Sequence, residues 1–257
     1  MADVLSENQA YFNKIAEDYD ERNADAVAQL ERGLQQKIQF IGVKERARFL
    51  DYACGTGMLS RVLAQYTSES IGVDVSENMV GAYNAQAQSQ ASSRRAYQGN
   101  LFDPADPSPE ALSDAKFSNF DVAGVGLAFH HFDDCQLAAK RLAERLKSGG
   151  VLFIVDFATH ETSPENAAGR GITHHGFYKE QIQGFFENAG LGDFAYEEFP
   201  EAMTITCYHS GVGHDHGNGH DHGHSHGHQG DAHGHGDEQK GPSSMTRTMF
   251  VARASKL

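Results

Sequence analysis

The run Phe49-Leu50-Asp51-Tyr52-Ala53-Cys54-Gly55-Thr56-Gly57-Met58, followed by Ile71-Gly72-Val73-Asp74, confines this chain to few folds. A short apolar segment reads as a buried strand. Gly55 and Gly57 let the backbone turn tightly and approach a ligand with no Cβ in the way. Met58, Leu59, Val62 and Leu63 then repeat at helical spacing. The second apolar segment ends in a carboxylate. Strand, glycine turn, helix, and strand with an acid at its tip describe a half-sheet that holds a nucleoside-bearing cofactor.

Two residues narrow the ligand. Asp51 places a carboxylate inside the turn, where a pyrophosphate would be repelled. A ligand carrying a cationic amine and a sulfonium suits it. Ser60 stands where a dinucleotide fingerprint has its third Gly or Ala. Both oppose an NAD-type oxidoreductase, the first rival reading. Asp74 is placed to accept hydrogen bonds from two ribose hydroxyls.

The rest of the chain alternates. Strands are predicted at 48–53, 70–74, 95–99, 120–125 and 150–157, and helices at 58–66, 77–89, 108–114, 133–146 and 178–189, the last closed by Gly190. Such alternation implies a parallel, doubly wound sheet. Ala202–Tyr208 alternates apolar and polar as a half-buried strand, with Thr246–Ala252 as its expected partner. Residues 6–37 are helical in pattern, with Tyr11, Phe12, Ile15 and Tyr19 on one stripe.

These motifs, in order over residues 8–196, resemble the class I S-adenosylmethionine (SAM)-dependent methyltransferases. Asp51–Gly57 resembles the first motif, and Asp74 with Val75-Ser76-Glu77-Asn78-Met79 the second. Gly99-Asn100-Leu101-Phe102-Asp103 resembles the third, which faces the adenine. Phe120-Asp121-Val122 through Phe129-His130-His131-Phe132 resembles the fourth strand and its loop, and Leu146–Val155 the turn into the fifth strand. The likeness is nearest to small-molecule enzymes of the ubiquinone/menaquinone-biosynthesis type. Ala53 replaces the usual first glycine, and Asn100 stands where an aspartate often meets the adenine amine.

The resemblance implies an α/β fold: a doubly wound, seven-stranded, mostly parallel sheet with one antiparallel strand slotted between the fifth and sixth, in a single domain over 1–257. It implies SAM as cofactor, held by Tyr11, Tyr19, Asp51, Ala53, Gly55, Gly57, Asp74, Val75, Met79, Asn100, Leu101 and Gly126. Residues 6–37 become a helical lid, and the partner a small-molecule methyl acceptor. Methyl transfer from a sulfonium is an in-line displacement, so alignment and water exclusion come first. A base is needed only where the nucleophile arrives protonated. His131, then His175, are the expected base or substrate anchor, with His130 and His174 beside them and Asp156 behind.

The chain's 257 residues suit one α/β domain. A net charge of −14 leaves no basic stripe for a nucleic-acid backbone. Cys54, Cys135 and Cys207 are few and lack metal-type spacing, which points to a reducing compartment. No run reaches membrane-span length, and the N-terminus lacks the basic start and apolar core of a signal peptide. Ser255-Lys256-Leu257 matches a peroxisomal address read by an import receptor, provided the last strand leaves the tail free; the cytoplasm is the alternative.

Residues 209–241 form a histidine-rich insert that cannot build a core, and disorder is expected there without a ligand. Within it His214, His216, His220, His222, His224, His226 and His228 can gather around Zn²⁺, Ni²⁺ or Cu²⁺ without fixed geometry. A metal buffer on a relic domain is the second rival reading. If the sixth strand is parallel to the others, the insert emerges on the cofactor face.

Overall fold

The structure, a computed structural model, describes residues 4–159, 172–207 and 243–257. Six strands run parallel: β1 (Ala47–Tyr52), β2 (Thr67–Asp74), β3 (Arg95–Gln98), β4 (Phe120–Gly126), β5 (Leu146–Phe157) and β6 (Leu191–Glu198). A seventh, β9 (Met249–Lys256), is antiparallel to both β5 and β6 and lies between them. The order is β3-β2-β1-β4-β5-β9-β6. The expected seven-stranded sheet with one antiparallel strand is the observed one.

Central strands of such a sheet are buried on both faces and so read as continuous apolar runs. Phe49 and Leu50 point to opposite faces, and both are buried. On one face Leu50, Ala123, Leu152 and Ile154 pack against α7 (Cys135–Arg145) and α8 (Lys179–Asn188) through Leu142, Ile182 and Phe186. On the other, Phe49, Val122, Phe153 and Val251 meet α3 (Ala24–Gln35), α4 (Ile38–Ile41) and α5 (Met58–Val62) through Leu34, Ile41, Leu59 and Val62. Side-chain caps fix where two helices start. Ser76 Oγ accepts from the Met79 N–H at the start of α6 (Glu77–Ser89), and Asp134 accepts from Leu137 N–H at the start of α7.

Three expectations are corrected. The sixth strand is Leu191–Glu198. Residues Met203–Cys207 instead form β7, paired antiparallel with β8 (Ser243–Arg247) in a separate two-stranded sheet. The polar alternation of 202–208 is that of a ribbon with one face on α3, where Met203 and Ile205 join Leu30 and Leu34. Phe199 also packs at Gly33 of α3, whose Cβ position lies 2.8 Å from that ring.

The helix expected at 108–114 is two 3-10 turns, Glu110–Leu112 and Ala115–Phe117. Asp114 ends the first by turning its carboxylate onto the Lys116 N–H, which competes with helix continuation. The helix expected at 58–66 stops at Val62, with Tyr66 N–H donating to Leu63 O in a closing turn.

Two residues of the C-terminal tripeptide, Ser255 and Lys256, lie in β9, while Leu257 follows it and is exposed. Ser255 pairs with Val151 and Gly192, Lys256 pairs with Leu191, and Lys256 Nζ donates to Leu146 O at 2.7 Å. The histidines at 214–228, and the rest of 208–242, lie outside the described residues. β8 leads into β9, whose Met249 pairs with Phe157 at the end of β5 and whose Phe250 pairs with Glu198 at the end of β6. No described helix is long and apolar enough to cross a membrane.

Candidate active site

Parallel strands aim their C-terminal ends at one edge, and the order reverses between β1 and β4. A crevice forms at that switch point. Here it is a cavity of about 510 Å³.

The turn after β1 builds its floor. Ala53 adopts φ 52°, a left-handed conformation that costs an L-residue about 1 kcal/mol. Gly55, at φ 50°, donates its N–H to Asp74 Oδ2 at 2.9 Å and has open space where a Cβ would be. Gly57, at φ 95°, is closed by packing: a Cβ there would sit 2.7 Å from the Tyr83 ring. Gly57 thus seats the helix and does not line the cavity, whereas Gly55 does.

Asp51 is the electrostatic centre. It is 1 % exposed and lines the cavity. Its Oδ2 accepts from Ser60 N–H at 3.0 Å and Ser60 Oγ–H at 2.6 Å, and Ser60 Oγ in turn accepts from Tyr83 OH at 2.7 Å. Burial outweighs these bonds and pushes the carboxyl up to about 7. Asp74 is raised for the same reason, although Ser76 and Gly55 N–H groups donate to it. Two desolvated carboxylates facing one cavity favour a cationic, hydroxyl-bearing ligand.

Val75 and Met79 line the wall beyond β2, and Asn100 and Phe102 the wall beyond β3. Asn100 Oδ1 accepts from Phe102 N–H at 2.9 Å. Leu101 is buried in the core with its N–H donating to Tyr52 OH at 3.0 Å. Gly126 closes the floor, where a Cβ would meet Leu59 at 2.9 Å.

The N-terminal helices cover the opening. α1 (Val4–Ile15) contributes Val4, Leu5, Asn8 and Phe12, while Tyr19 of α2 (Tyr19–Arg22) and Val27 of α3 follow. Tyr11 packs edge-on against Phe12 and stays off the lining. Burial pushes Tyr19 up to about 12. The cover is pinned by polar contacts: Gln9 to Val75 O, Ser76 Oγ to Asn13, and Thr56 Oγ–H to Asp20 at 2.6 Å. Asn8 donates to His131 O at 3.1 Å, and its Oδ1 is buried without a protein donor.

The four histidines separate. His131 lines the cavity, edge-on to Phe12 at 5.3 Å and beside the His130 ring at 4.3 Å. His130 is buried behind it. Its Nδ1 lies 2.7 Å from Asp156 Oδ1, and its backbone N–H donates to Asp156 Oδ2. His174 packs on Phe177 with Nε2 buried and unpaired, and His175 is exposed. Neither touches the cavity lining. Thr173 and His174 N–H groups both donate to His130 O, so that loop braces the His130 turn. Asn8, Tyr52 and Tyr83 take part in the site through contacts that the sequence does not point to, whereas Ser60 is marked by its place after the glycine turn.

A methyltransferase-domain family matches residues 26–193, more than half of the chain. The chain belongs to this family. Its class is that of the class I SAM-dependent methyltransferases, with the sheet to match. An uncharacterised methyltransferase of Schizosaccharomyces pombe is 32 % identical over 160 residues, covering 58 % of this chain and 55 % of that protein. The uncharacterised methyltransferase YcgJ of Bacillus subtilis is 28 % identical over 149 residues, covering 58 % and 54 %. The chain thus spans about half the length of the curated relatives it matches.

Among solved structures, YcgJ superposes with a TM-score of 0.60 at 21 % identity, over 88 % of this chain and 98 % of that one. A SAM-dependent methyltransferase of Thermotoga maritima, described as a possible histamine N-methyltransferase, gives 0.59 at 15 % identity over 97 % and 99 %. The [4+2]-cyclase SpnF shares the fold with a TM-score of 0.53 at 19 % identity, over 66 % of this chain and 59 % of that one. At these identities the likeness is one of fold.

Proposed function

We propose that the protein transfers the methyl group of SAM to a small, apolar acceptor that carries no negative charge. The character of the cavity supports this. Asp51, Asp74, Asp103, Asp133 and Asp134 are its charged lining residues, and no Lys or Arg lines it among the described residues. A carboxylate or phosphate on the acceptor would meet like charge with no partner. The remaining wall, with Leu5, Phe12, Leu127, Phe132 and Leu137, rewards hydrocarbon.

The residues fit SAM. Asp51, buried and raised, gains an ion pair from an α-ammonium. Gly55 leaves the backbone approachable. Asp74 keeps lone pairs for ribose hydroxyls. Val75, Met79 and Asn100 would flank the adenine. SAM when bound supplies a methyl on an electrophilic sulfonium.

The chain's own part is alignment and exclusion of water. α1 covers the opening, and Phe12 holds the His131 ring. An imidazole can accept a proton from the acceptor, and His131 is the histidine that lines the cavity among the described residues. Asp156 and His130 stand behind it as a positioning pair. Calorimetry with SAM and S-adenosylhomocysteine tests the cofactor, and absent binding rejects it. Mass spectrometry on matched pairs of neutral and carboxylated aromatic acceptors tests the class. Turnover confined to the carboxylated members rejects the acceptor assignment and leaves the cofactor standing.

A further inference from the structure

His131 ends a single 3-10 turn, Phe129–His131, between β4 and α7. Two backbone bonds hold that turn: His131 N–H to Ala128 O at 3.0 Å, and Phe132 N–H to Phe129 O at 3.1 Å. The carbonyls of His130, His131 and Phe132 are left over, as at any helix end, and other segments must meet them. We propose that Thr173 is the positioning residue that sets the His131 ring in the cavity. This rests on the reading above, in which His131 takes the acceptor's proton.

Two segments share the three carbonyls. Asn8 of α1 donates to His131 O at 3.1 Å. Thr173 meets the other two: its Oγ lies 3.0 Å from His130 O and 2.9 Å from Phe132 O, straddling His131. One hydroxyl proton is divided between them. The two contacts differ in weight. His130 O also receives the N–H groups of Thr173 and His174, at 3.0 and 3.1 Å. Asp156 holds the His130 ring and N–H as well. The chain entering His131 is therefore secured without the hydroxyl. Beside Phe132 O, among the described residues, stands the Cys135 thiol at 3.7 Å, a weak donor. The chain leaving His131 thus depends on Thr173 Oγ.

Thr173 can act as an anchor because its own segment is fixed. Phe177 N–H donates to Phe157 O at 3.0 Å and Thr159 N–H to Phe177 O at 3.2 Å, which ties the segment to the end of β5. Phe177 is buried, 5.5 Å from the Phe129 ring. Gly176, at φ 82°, lets the chain pass where a Cβ would lie 2.4 Å from Ala158 O. Thr173 itself does not line the cavity, so its effect there passes through His131. A misplacement of about 1 Å is enough to cost about a hundredfold in rate.

The first arm of the test needs no acceptor. In the full chain with isotope-labelled histidine, the His131 ring resonance is assigned by its loss in His131→Ala. Thr173→Val removes the hydroxyl at nearly constant shape and should shift or broaden that resonance, and Thr173→Ser should restore it. Affinity for S-adenosylhomocysteine should stay within about twofold in both variants. The second arm measures turnover of the neutral aromatic acceptors. Thr173→Val should lower kcat by about tenfold to a hundredfold with little change in KM, and Thr173→Ser should recover most of it. In a His131→Ala background the same Val substitution should cost nothing further. An unmoved His131 resonance in Thr173→Val, or equal losses of turnover in both backgrounds, overturns the assignment. Thr173→Ala deletes the same hydroxyl should the Val variant not fold. Failure of the wider reading looks different: the unmodified protein binds no S-adenosylhomocysteine, or His131→Ala keeps full turnover. The resonance still decides whether Thr173 sets the ring.

Discussion

Replacing Asp51 with Asn should stabilise the cofactor-free protein while it disables cofactor binding, and the stabilisation should depend on pH in a defined direction. Asp51 sits at an ordinary 3.8 when unfolded and is pushed up to about 7 by burial in the fold. Between those values the folded state holds a proton that the unfolded state has lost. Stability therefore falls as pH rises from about 4 to 7 and levels off above.

At about 1.4 kcal/mol per unit, the three-unit span gives about 4 kcal/mol as an upper bound. Asn carries no such term. Its Oδ1 can still accept from Ser60 N–H and Oγ–H, so packing is preserved. Thermal melts of both proteins from pH 4.5 to 8 should show a gap that opens with pH. It should approach about 10 °C at pH 8, given roughly 2–4 °C per kcal/mol at this size. SAM binding to the variant should weaken by about 2–4 kcal/mol, thirtyfold or more, because an ion pair with the ammonium is lost. Parallel melting curves across that range would refute the idea that Asp51 is a desolvated carboxylate held ready for a cation.

Two further outcomes follow from the site. His131→Ala should lower kcat by about 10²-fold or more when the acceptor must lose a proton. SAM affinity should stay within about threefold, and equal loss in both by calorimetry and turnover would assign His131 to the cofactor side. Ala53→Gly relieves a left-handed residue but adds unfolded-state freedom, so chemical denaturation should register a shift of under about 1 kcal/mol. A loss well beyond that would mean the Ala53 methyl is a packing element.

Much of the architecture was legible because two periodicities do not compete in it. Central strands such as Phe49–Tyr52 and Leu152–Val155 are apolar without alternation, and the helices between them carry side-chain caps at Ser76 and Asp134. Asp51 and Asp74 announce themselves because a carboxylate ending an apolar strand has no packing role. Other parts were hidden for physical reasons. Leu191–Glu198 reads as polar because it is the edge strand, with one flank open and a register break near Asp193 at φ 52°. Ala202–Tyr208 shows the same alternation, and nothing local says which of the two joins the main sheet. The separation of His131 from His130 depends on one residue of turn, and the position of His174 and His175 off the cavity lining depends on a loop folding back on His130.

The β7–β8 ribbon bears on how this protein can change. Cys207 and Ser243 face each other as the last paired rung, so the two ends of whatever lies between them are already brought together. Closure of the intervening chain is thus secured by the ribbon, and lengthening that chain costs only about 0.6 kcal/mol per doubling. Sequence can therefore be gained, lost or exchanged at this point with little consequence for the catalytic body. The ribbon is a natural splice point for cargo, and an obvious place to graft a reporter.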